Sequence, residues 1–163
     1  MKIIGIDPGL NFTGFGIIDY NKGSLEYLFA DVITTSVKDS IEIRLAKIFS
    51  SLDLILKEYK VENCALENVF VNSNNESSLK LGSARGAAIV AVGVNLIPMF
   101  EYATNFVKKA VTGKGHASKE QVKYMVKTLL PKCKINKYDV SDALAVAIAH
   151  GSMVEYNNKI AKY

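Results

Sequence analysis

The sequence predicts an α/β fold in which a mixed, five-stranded sheet, made of three antiparallel strands plus parallel additions, is flanked by helices. Short connections join the first three apolar runs, which is typical of an antiparallel meander. A long amphipathic helix then precedes the fourth run, and such a crossover places the fourth strand parallel to the first. The fifth run follows a second long helix and completes the sheet.

The first strand is predicted at residues 3–6 and ends at Asp7-Pro8-Gly9. A second apolar run at residues 15–18 follows closely, so the pattern indicates strand, tight turn, strand. A carboxylate at the end of a strand, beside a turn that leaves the backbone open, is placed to hold a divalent cation or to face a phosphate. Asp-Pro-Gly is also ordinary turn chemistry, so the motif by itself leaves both interpretations open.

The remaining elements follow from periodicity and capping residues. Asp39 and Ser40 supply the cap of the first helix, and Ser118 supplies the cap of a later one. In chain order the predicted elements are a strand at 25–34, a helix at 41–59, a strand at 63–67, a helix at 79–94, a strand at 97–102, and helices at 103–110, 119–130 and 141–156.

The composition of the 163 residues is that of one soluble domain, predicted over residues 1–156 with a polar tail over 157–163. The most apolar window, at 87–100, is shorter than the roughly 18 apolar residues of a membrane span, so no membrane partner is expected. The N-terminus enters a strand at once, which argues against a signal peptide. Cys64 and Cys133 are too few for a disulfide framework or a zinc cluster, which favours a reducing, cytoplasmic location.

Positive charge is concentrated in one part of the chain. The net charge is only +4, but nine lysines lie between residues 105 and 137, against one acid, Glu120. Lys119, Lys123 and Lys127 are spaced to form a row on one helix. Such a basic third is typical of a polyanion-binding face, although a solvated lysine-rich surface is the commoner origin of any single cluster.

Four acids are predicted to meet at one edge of the sheet. Glu67 ends the fourth strand, which places it beside Asp7, and carboxyl ends of neighbouring parallel strands are where open α/β sheets carry their sites. Asp139 and Asp142 lie near the start of the last helix, where helix capping alone also favours acids. Two carboxylates about 4 Å apart repel by roughly 4 kcal/mol at an effective dielectric near 20, so the cluster predicts a hard cation such as Mg²⁺ or Mn²⁺.

A carboxylate site that holds two hard cations, with lysines beside it, is suited to the cleavage of phosphodiesters. The chain resembles the RuvC family of Holliday-junction resolvases, from Lys2 to about His150, in the stretches GIDPGLNFTGFGIID, ALENVFVNSNNESSLKLGSARGAAI, ASKEQVKYMVKTLLP and YDVSDALAVAIAH. The resemblance implies a ribonuclease-H-like fold. It also implies an endonuclease that nicks two strands of like polarity symmetrically across a four-way DNA junction, leaving 5′-phosphate and 3′-hydroxyl ends, in homologous recombination and DNA repair.

The resemblance also implies cofactors, partners and site residues. It implies Mg²⁺, which Mn²⁺ can replace, at up to two ions per subunit, a homodimer, and a branch-migration complex of RuvA and RuvB type proteins. The catalytic and metal-binding residues carried over by motif are Asp7, Glu67, Asp139 and Asp142. Phe70 resembles an aromatic that stacks on bases at the crossover, and Lys108 and Lys119 resemble basic residues near the scissile phosphate. The full predicted DNA-binding set is Phe70, Arg85, Lys108, Lys114, Lys119 and Lys123.

The helix predicted at 79–94 carries Gly82, Gly86 and Gly93 among other small residues. Glycine costs a helix about 1 kcal/mol per position relative to alanine, so three of them suggest that another backbone approaches this helix closely. That backbone belongs either to the sheet or to a second subunit. A symmetric dimer would match the approximate two-fold symmetry of a junction, which makes this helix the candidate interface.

Three other functions are compatible with parts of the pattern. The strand-Asp-x-Gly motif is also similar to the phosphate loop of actin-like and Hsp70-like ATPases, but those need two such domains and this chain has room for one. A non-catalytic junction-binding module would use the acids structurally, although all four acids are present. A related ribonuclease-H-like nuclease acting on RNA or nicked duplex is opposed only by the family resemblance.

Overall fold

A five-stranded sheet flanked by five helices forms the computed structural model, which describes residues 1–68, 75–135 and 137–161, except the side chains of 75, 158 and 159. The described elements, in chain order, are β1 (Lys2–Asp7), β2 (Phe12–Asn21), β3 (Ser24–Thr34), α1 (Ile41–Tyr59), β4 (Asn63–Glu67), α2 (Asn75–Val94), β5 (Met99–Tyr102), α3 (Thr104–Thr112), α4 (Lys119–Leu129) and α5 (Tyr138–Ile160).

The strand order β3-β2-β1-β4-β5 confirms the predicted mixed sheet. β1 and β2 pair antiparallel, as do β2 and β3, whereas β4 is parallel to both β1 and β5. Ile6 pairs with Leu66 across the parallel strands, so the next residues, Asp7 and Glu67, lie side by side at their carboxyl ends. The predicted juxtaposition of these two acids is confirmed.

The sheet separates two apolar layers, because alternate residues of a strand face opposite sides. Ile4 and Ile6 of β1 pack with α1 and α2, whereas Ile3 faces the side covered by α3, α4 and α5. Along α5, every residue from Ala143 to His150 is buried. A helix that is apolar on all sides belongs in the centre of a fold, and α5 lies across the middle of the sheet.

Glycines let α5 lie unusually close to the sheet. A Cβ atom added to Gly5 would overlap the backbone carbonyl of Ala143, and one added to Gly14 would overlap the carbonyl of Asp139. Gly16 meets the side chain of Leu144 in the same way. The three glycines lie on the same face of β1 and β2, and together they bring the N-terminal half of α5 against the strands that end at the acidic edge.

Several predicted boundaries differ from the structure. β2 extends well beyond the predicted 15–18, because the glycines that weaken the strand pattern are required by the close approach of α5. β5 is shorter than 97–102 and begins at Met99. α5 begins before residue 141 and continues to Ile160, inside the segment predicted as a polar tail. Within the described ranges, the structure contains no helix that combines the length and the apolar character needed to span a membrane.

Candidate active site

A pocket of about 260 Å³ opens at the edge of the sheet where β1 and β4 end. Three of the predicted acids line it, together with two of the predicted lysines. Its charged lining residues are Asp7, Glu67, Asp142, Lys108 and Lys119, and its other lining residues are Pro8, Leu81, Thr104, Val107, Val122 and Ala145. The structure therefore gathers side chains that are more than 130 positions apart in the sequence into one concave site.

The turn that follows Asp7 is held by hydrogen bonds from β2 and from α1. The Thr13 hydroxyl donates to the carbonyl oxygen of Gly9 at 2.8 Å. The buried Arg44 guanidinium, on α1, donates from Nη2 to the side-chain oxygen of Asn11 and from Nε to Oγ1 of Thr35 at 2.9 Å. These contacts anchor the turn, so the end of β1 holds a defined position.

The first two turns of α5 supply the other two acids. Asp7 pairs with Gly14 across the β1–β2 ladder, and the missing side chain of Gly14 admits the backbone of Asp139. Asp142 lies one turn further along the helix, with Oδ2 at 3.8 Å from Nζ of Lys119. Both acids lie near the N-terminus of a helix, where the helix dipole favours negative charge.

The four carboxylates act as one electrostatic group. Burial, and then the negative charges of Asp142, Asp139 and Glu67, raise the pKa of Asp7 to about 7, while Lys119 acts in the opposite direction. Burial also raises the pKa of Asp142 to about 6; Lys119 and Lys108 lower it, and Glu67 and Asp139 raise it. Asp139 does not line the pocket, but its charge contributes to the raised pKa values of both Asp7 and Asp142, so it lies close enough to act on these two acids.

This donor set fits a hard divalent cation. All four candidate ligands are carboxylates, which Mg²⁺ and Mn²⁺ prefer, and partial burial strengthens their attraction for a cation. In the part of the chain that the structure describes, no three Asp, Glu, His or Cys side chains converge into ready-made metal ligands. Three of the acids, Asp7, Glu67 and Asp142, line a pocket instead, which suits an ion such as Mg²⁺ that keeps several waters in its coordination shell.

Two predicted DNA-binding residues, Lys108 and Lys119, lie in the pocket, and the other members of the set lie elsewhere. Arg85 donates from Nη1 to the backbone carbonyl of Glu67 at 2.8 Å and from Nη2 to Glu101 at 2.7 Å. Lys114 lines a separate, shallow pocket of about 360 Å³, and the Lys123 ammonium lies 4.8 Å from the centre of the Tyr138 ring. Phe70 lies outside the described residues.

Sequence reasoning missed the contacts that position the acids. Arg85, predicted from the sequence to bind DNA, ties α2 to the end of β4 at Glu67, and its guanidinium also donates to Glu101 of β5. No spacing of residues in the sequence predicts such a contact. Gly14 and Gly16 did carry a signal, because two glycines on one face of a strand mark a close approach by another backbone.

Comparison with known proteins identifies relatives over nearly the whole chain. The model of the family "Crossover junction endodeoxyribonuclease RuvC" matches residues 3–150. The chain is 46% identical to the RuvC protein of Gluconobacter oxydans over 150 residues, covering 92% of this chain and 89% of that protein. It is 47% identical to RuvC of Ehrlichia ruminantium over 154 residues, covering 92% and 96% respectively.

A solved structure has the same fold as this chain over nearly its whole length. The structure of T. thermophilus RuvC in complex with a Holliday junction substrate is similar to this chain with a TM-score of 0.90 at 31% identity, covering 96% of each chain. The ribonuclease-H-like fold class predicted from the motifs is therefore confirmed.

Proposed function

Because the chain belongs to the RuvC family of crossover junction endodeoxyribonucleases, we propose that it is a structure-specific endonuclease that resolves four-way DNA junctions. The observation that carries this proposal is the convergence of Asp7, Glu67, Asp139 and Asp142 into one coupled carboxylate group beside Lys108 and Lys119. A purely structural role leaves four partly buried, mutually repelling acids unexplained.

The four acids are the proposed ligands of Mg²⁺, or of Mn²⁺ in its place, at up to two ions per subunit. Bound there, the ions would supply an activated water as nucleophile and stabilise the leaving 3′ oxygen of the scissile phosphodiester. Asp7 and Asp142 must give up their protons to serve as ligands, and their raised pKa values make that step dependent on pH near neutrality.

Lys108 and Lys119 have a distinct role in this proposal. They line the same pocket as the acids, and Lys119 lies within ion-pair distance of Asp142. A lysine ammonium at this position attracts the scissile phosphate and offsets the repulsion between that phosphate and the acids. Contacts of this kind position the DNA backbone and carry no sequence information.

A homodimer with one acid site per subunit would nick two strands of like polarity, leaving 5′-phosphate and 3′-hydroxyl ends. The proposed interface is one face of α2. Gly82, Gly86 and Gly93 share that face because their spacing matches the helical repeat, and apart from the adjoining turns of α2 itself no described atom lies within 4 Å of the position that a Cβ of theirs would take. Leu79 and Val90 on the same face are 71% and 53% exposed. The sheet is therefore not the backbone that these glycines admit, which favours a second subunit.

The proposed location of the protein is the cytoplasm. Cys64 and Cys133 are both free and buried, which agrees with a reducing cytoplasm. A branch-migration complex of RuvA and RuvB type proteins is the proposed partner for delivery of the junction, in recombination and repair. The nuclease domain is proposed over residues 1–156, and the end of α5 extends beyond it.

The test is cleavage of an end-labelled synthetic four-way junction in Mg²⁺ and in EDTA, with linear duplex and RNA–DNA hybrid of the same sequence as controls. We expect paired nicks, dependent on Mg²⁺, that are confined to the junction and can be resealed by ligase. Tight junction binding without nicks in Mg²⁺ or Mn²⁺ would indicate the non-catalytic module. Preferential cleavage of the hybrid would indicate the RNA-directed nuclease.

A further inference from the structure

Two exposed aromatic rings lie next to the acids, and each has a lysine ammonium over its face. Nζ of Lys137 lies 3.7 Å from the centre of the Phe12 ring, and Nζ of Lys123 lies 4.8 Å from the centre of the Tyr138 ring. Each ring remains 42% exposed. We call these four residues, Phe12, Lys123, Lys137 and Tyr138, the aromatic–lysine surface.

Sequence adjacency and backbone packing connect this surface with the candidate active site. Tyr138 immediately precedes Asp139 at the start of α5, and Phe12 begins β2 two residues before Gly14, against which the backbone of Asp139 packs. Lys123 lies one helical turn beyond Lys119, whose ammonium reaches the acid pocket. A DNA strand that leaves the pocket along α4 would meet Lys123 and Tyr138 next.

The chemistry of the surface is that of a platform for unpaired bases. An exposed aromatic ring can stack on any base whose own stack has been opened, and lysines on either side neutralise the flanking phosphates. The bases of an intact duplex are already stacked on their neighbours, so such rings gain most where strands exchange. Glu120 contacts this surface, with Oε1 at 3.4 Å from the Tyr138 hydroxyl, and the two lysines of the surface carry the greater charge.

We propose that the aromatic–lysine surface is a second DNA-contacting surface, which binds unstacked bases and adjoining phosphates of the junction strand beyond the acid pocket. This inference rests on the proposed function, since it assumes that the acid pocket acts on a junction. It differs from the lysine predictions made from the sequence because it assigns the specificity for open DNA to Tyr138 and Phe12.

The test compares Tyr138→Leu and Phe12→Leu with a matched control, Tyr156→Leu. Tyr156 is an exposed aromatic on the same helix, 61% exposed and about 27 Å from Tyr138 at 1.5 Å per residue. Binding of a synthetic four-way junction is measured in EDTA over a range of salt concentrations. We expect each platform variant to raise Kd about fivefold to tenfold at every salt concentration, with an unchanged salt slope, and the control to change Kd less than twofold.

The lysines of the surface should behave differently from the rings. Lys137→Gln should reduce the magnitude of the negative slope of log K against log salt concentration by about 0.7 to 0.9, as expected for one lost phosphate contact. Phe12 and Tyr138 belong to different elements, so a folding defect in one variant leaves the other as an independent test. Thermal unfolding of each variant shows whether it is folded.

A fluorescent base gives the direct readout. 2-Aminopurine placed at successive positions beside the crossover should be quenched by wild-type protein at one or two positions, and Tyr138→Leu should remove that quenching. If both platform variants bind and quench as the wild-type protein does, and the wild-type protein nicks junctions, the proposed surface is wrong but the proposed function stands. Equal losses on linear duplex and junction would overturn the role of unstacked bases. Failure of the wild-type protein to bind or nick junctions would instead overturn the proposed function.

Discussion

Glycines have opposite roles in two regions of this molecule. Where α5 crosses the sheet, Gly5 and Gly14 leave no space for even a methyl group, because the backbone of α5 fills the position of the missing Cβ. On α2, Gly86 and its neighbours on the same face open onto space with no described atom within 4 Å. The first contact is completed within the chain and creates the acid site. The second awaits a partner, and we propose that the partner is a second copy of the chain.

The largest effect on nicking is expected from replacing one of the acids that the contact between α5 and the sheet brings together. Asp7→Asn should reduce junction nicking at least a thousandfold, because an amide is a poor ligand for a hard cation, while junction binding in EDTA stays within about threefold. Asp39→Asn, at an exposed acid before α1, is the matched control. Parallel losses of binding and of folding in Asp7→Asn would make this acid structural.

The same contact can be tested without touching an acid. Gly14→Ala adds a methyl group where the Asp139 carbonyl lies, so α5 must shift away from β2. We expect a loss of about 2–3 kcal/mol in the free energy of unfolding, measured in urea, and a fall in nicking of about a hundredfold because Asp139 moves relative to Asp7. Unchanged nicking in a destabilised variant would show that the close approach serves packing alone.

The pH dependence of stability tests the claim that burial and the neighbouring acids disfavour the charged form of Asp7. The pKa of Asp7 is raised in the folded protein to about 7, so folding favours its protonated form. In EDTA the free energy of unfolding should therefore decline as the pH rises from about 4 through 7, by on the order of 2 kcal/mol. Asp7→Asn should remove the part of this decline that comes from Asp7 and leave the part expected from Asp142, whose pKa is also raised. Mg²⁺ should restore stability at pH 8 to the wild-type protein only, and an identical pH profile for the two proteins would refute the raised pKa of Asp7.

Arg85 links the two regions, since it extends from α2 to the carbonyl oxygen of Glu67 at the acid site. Arg85→Lys loses the planar fork that reaches Glu67 and Glu101 together, so nicking should fall about tenfold through displacement of Glu67. Junction binding and its salt slope should stay unchanged. A lower slope with normal single-turnover nicking would instead support the sequence-based prediction that Arg85 binds DNA.

The smallest effect is expected at Gly86, where the change in stability has the opposite sign to the change expected at Gly14. Gly86→Ala places a methyl group in open space and replaces a poor helix former, so an isolated subunit should gain about 0.5–1 kcal/mol in stability. The added methyl groups should at the same time weaken the dimer, measured by analytical ultracentrifugation. A dimer with wild-type affinity would move the interface away from this face of α2.

The sequence was most informative where chemistry and strand ends coincide. Asp7 and Glu67 were placed side by side from the meander, the crossover and the parallel pairing that a crossover implies, and the register confirms it. The spacing of Asp139 and Asp142 placed both at the beginning of α5. These inferences succeeded because they depend on local periodicity and on a topological rule that tolerates few exceptions.

What the sequence did not reveal depends on distant contacts. The pairing of Arg85 with Glu67 and Glu101, and the lysines over Phe12 and Tyr138, join elements that local patterns treat independently. The observed boundaries of β2 and α5 differ from the predicted boundaries for a related reason. Glycine lowers local strand propensity, but Gly14 and Gly16 belong to the strand because the helix above them requires the space.

Direct measurement of cation binding tests the central claim, that α5 and the parallel strands build one metal site from four acids. Mn²⁺ is titrated into wild-type protein, Asp7→Asn, Asp142→Asn and the Asp39→Asn control at pH 8, and bound ion is counted by the loss of the paramagnetic resonance signal of free Mn²⁺. We expect one or two ions per wild-type and control chain, and at least tenfold weaker binding in both site variants. Equal binding by all four proteins, or no binding by any of them at millimolar Mn²⁺, would contradict it.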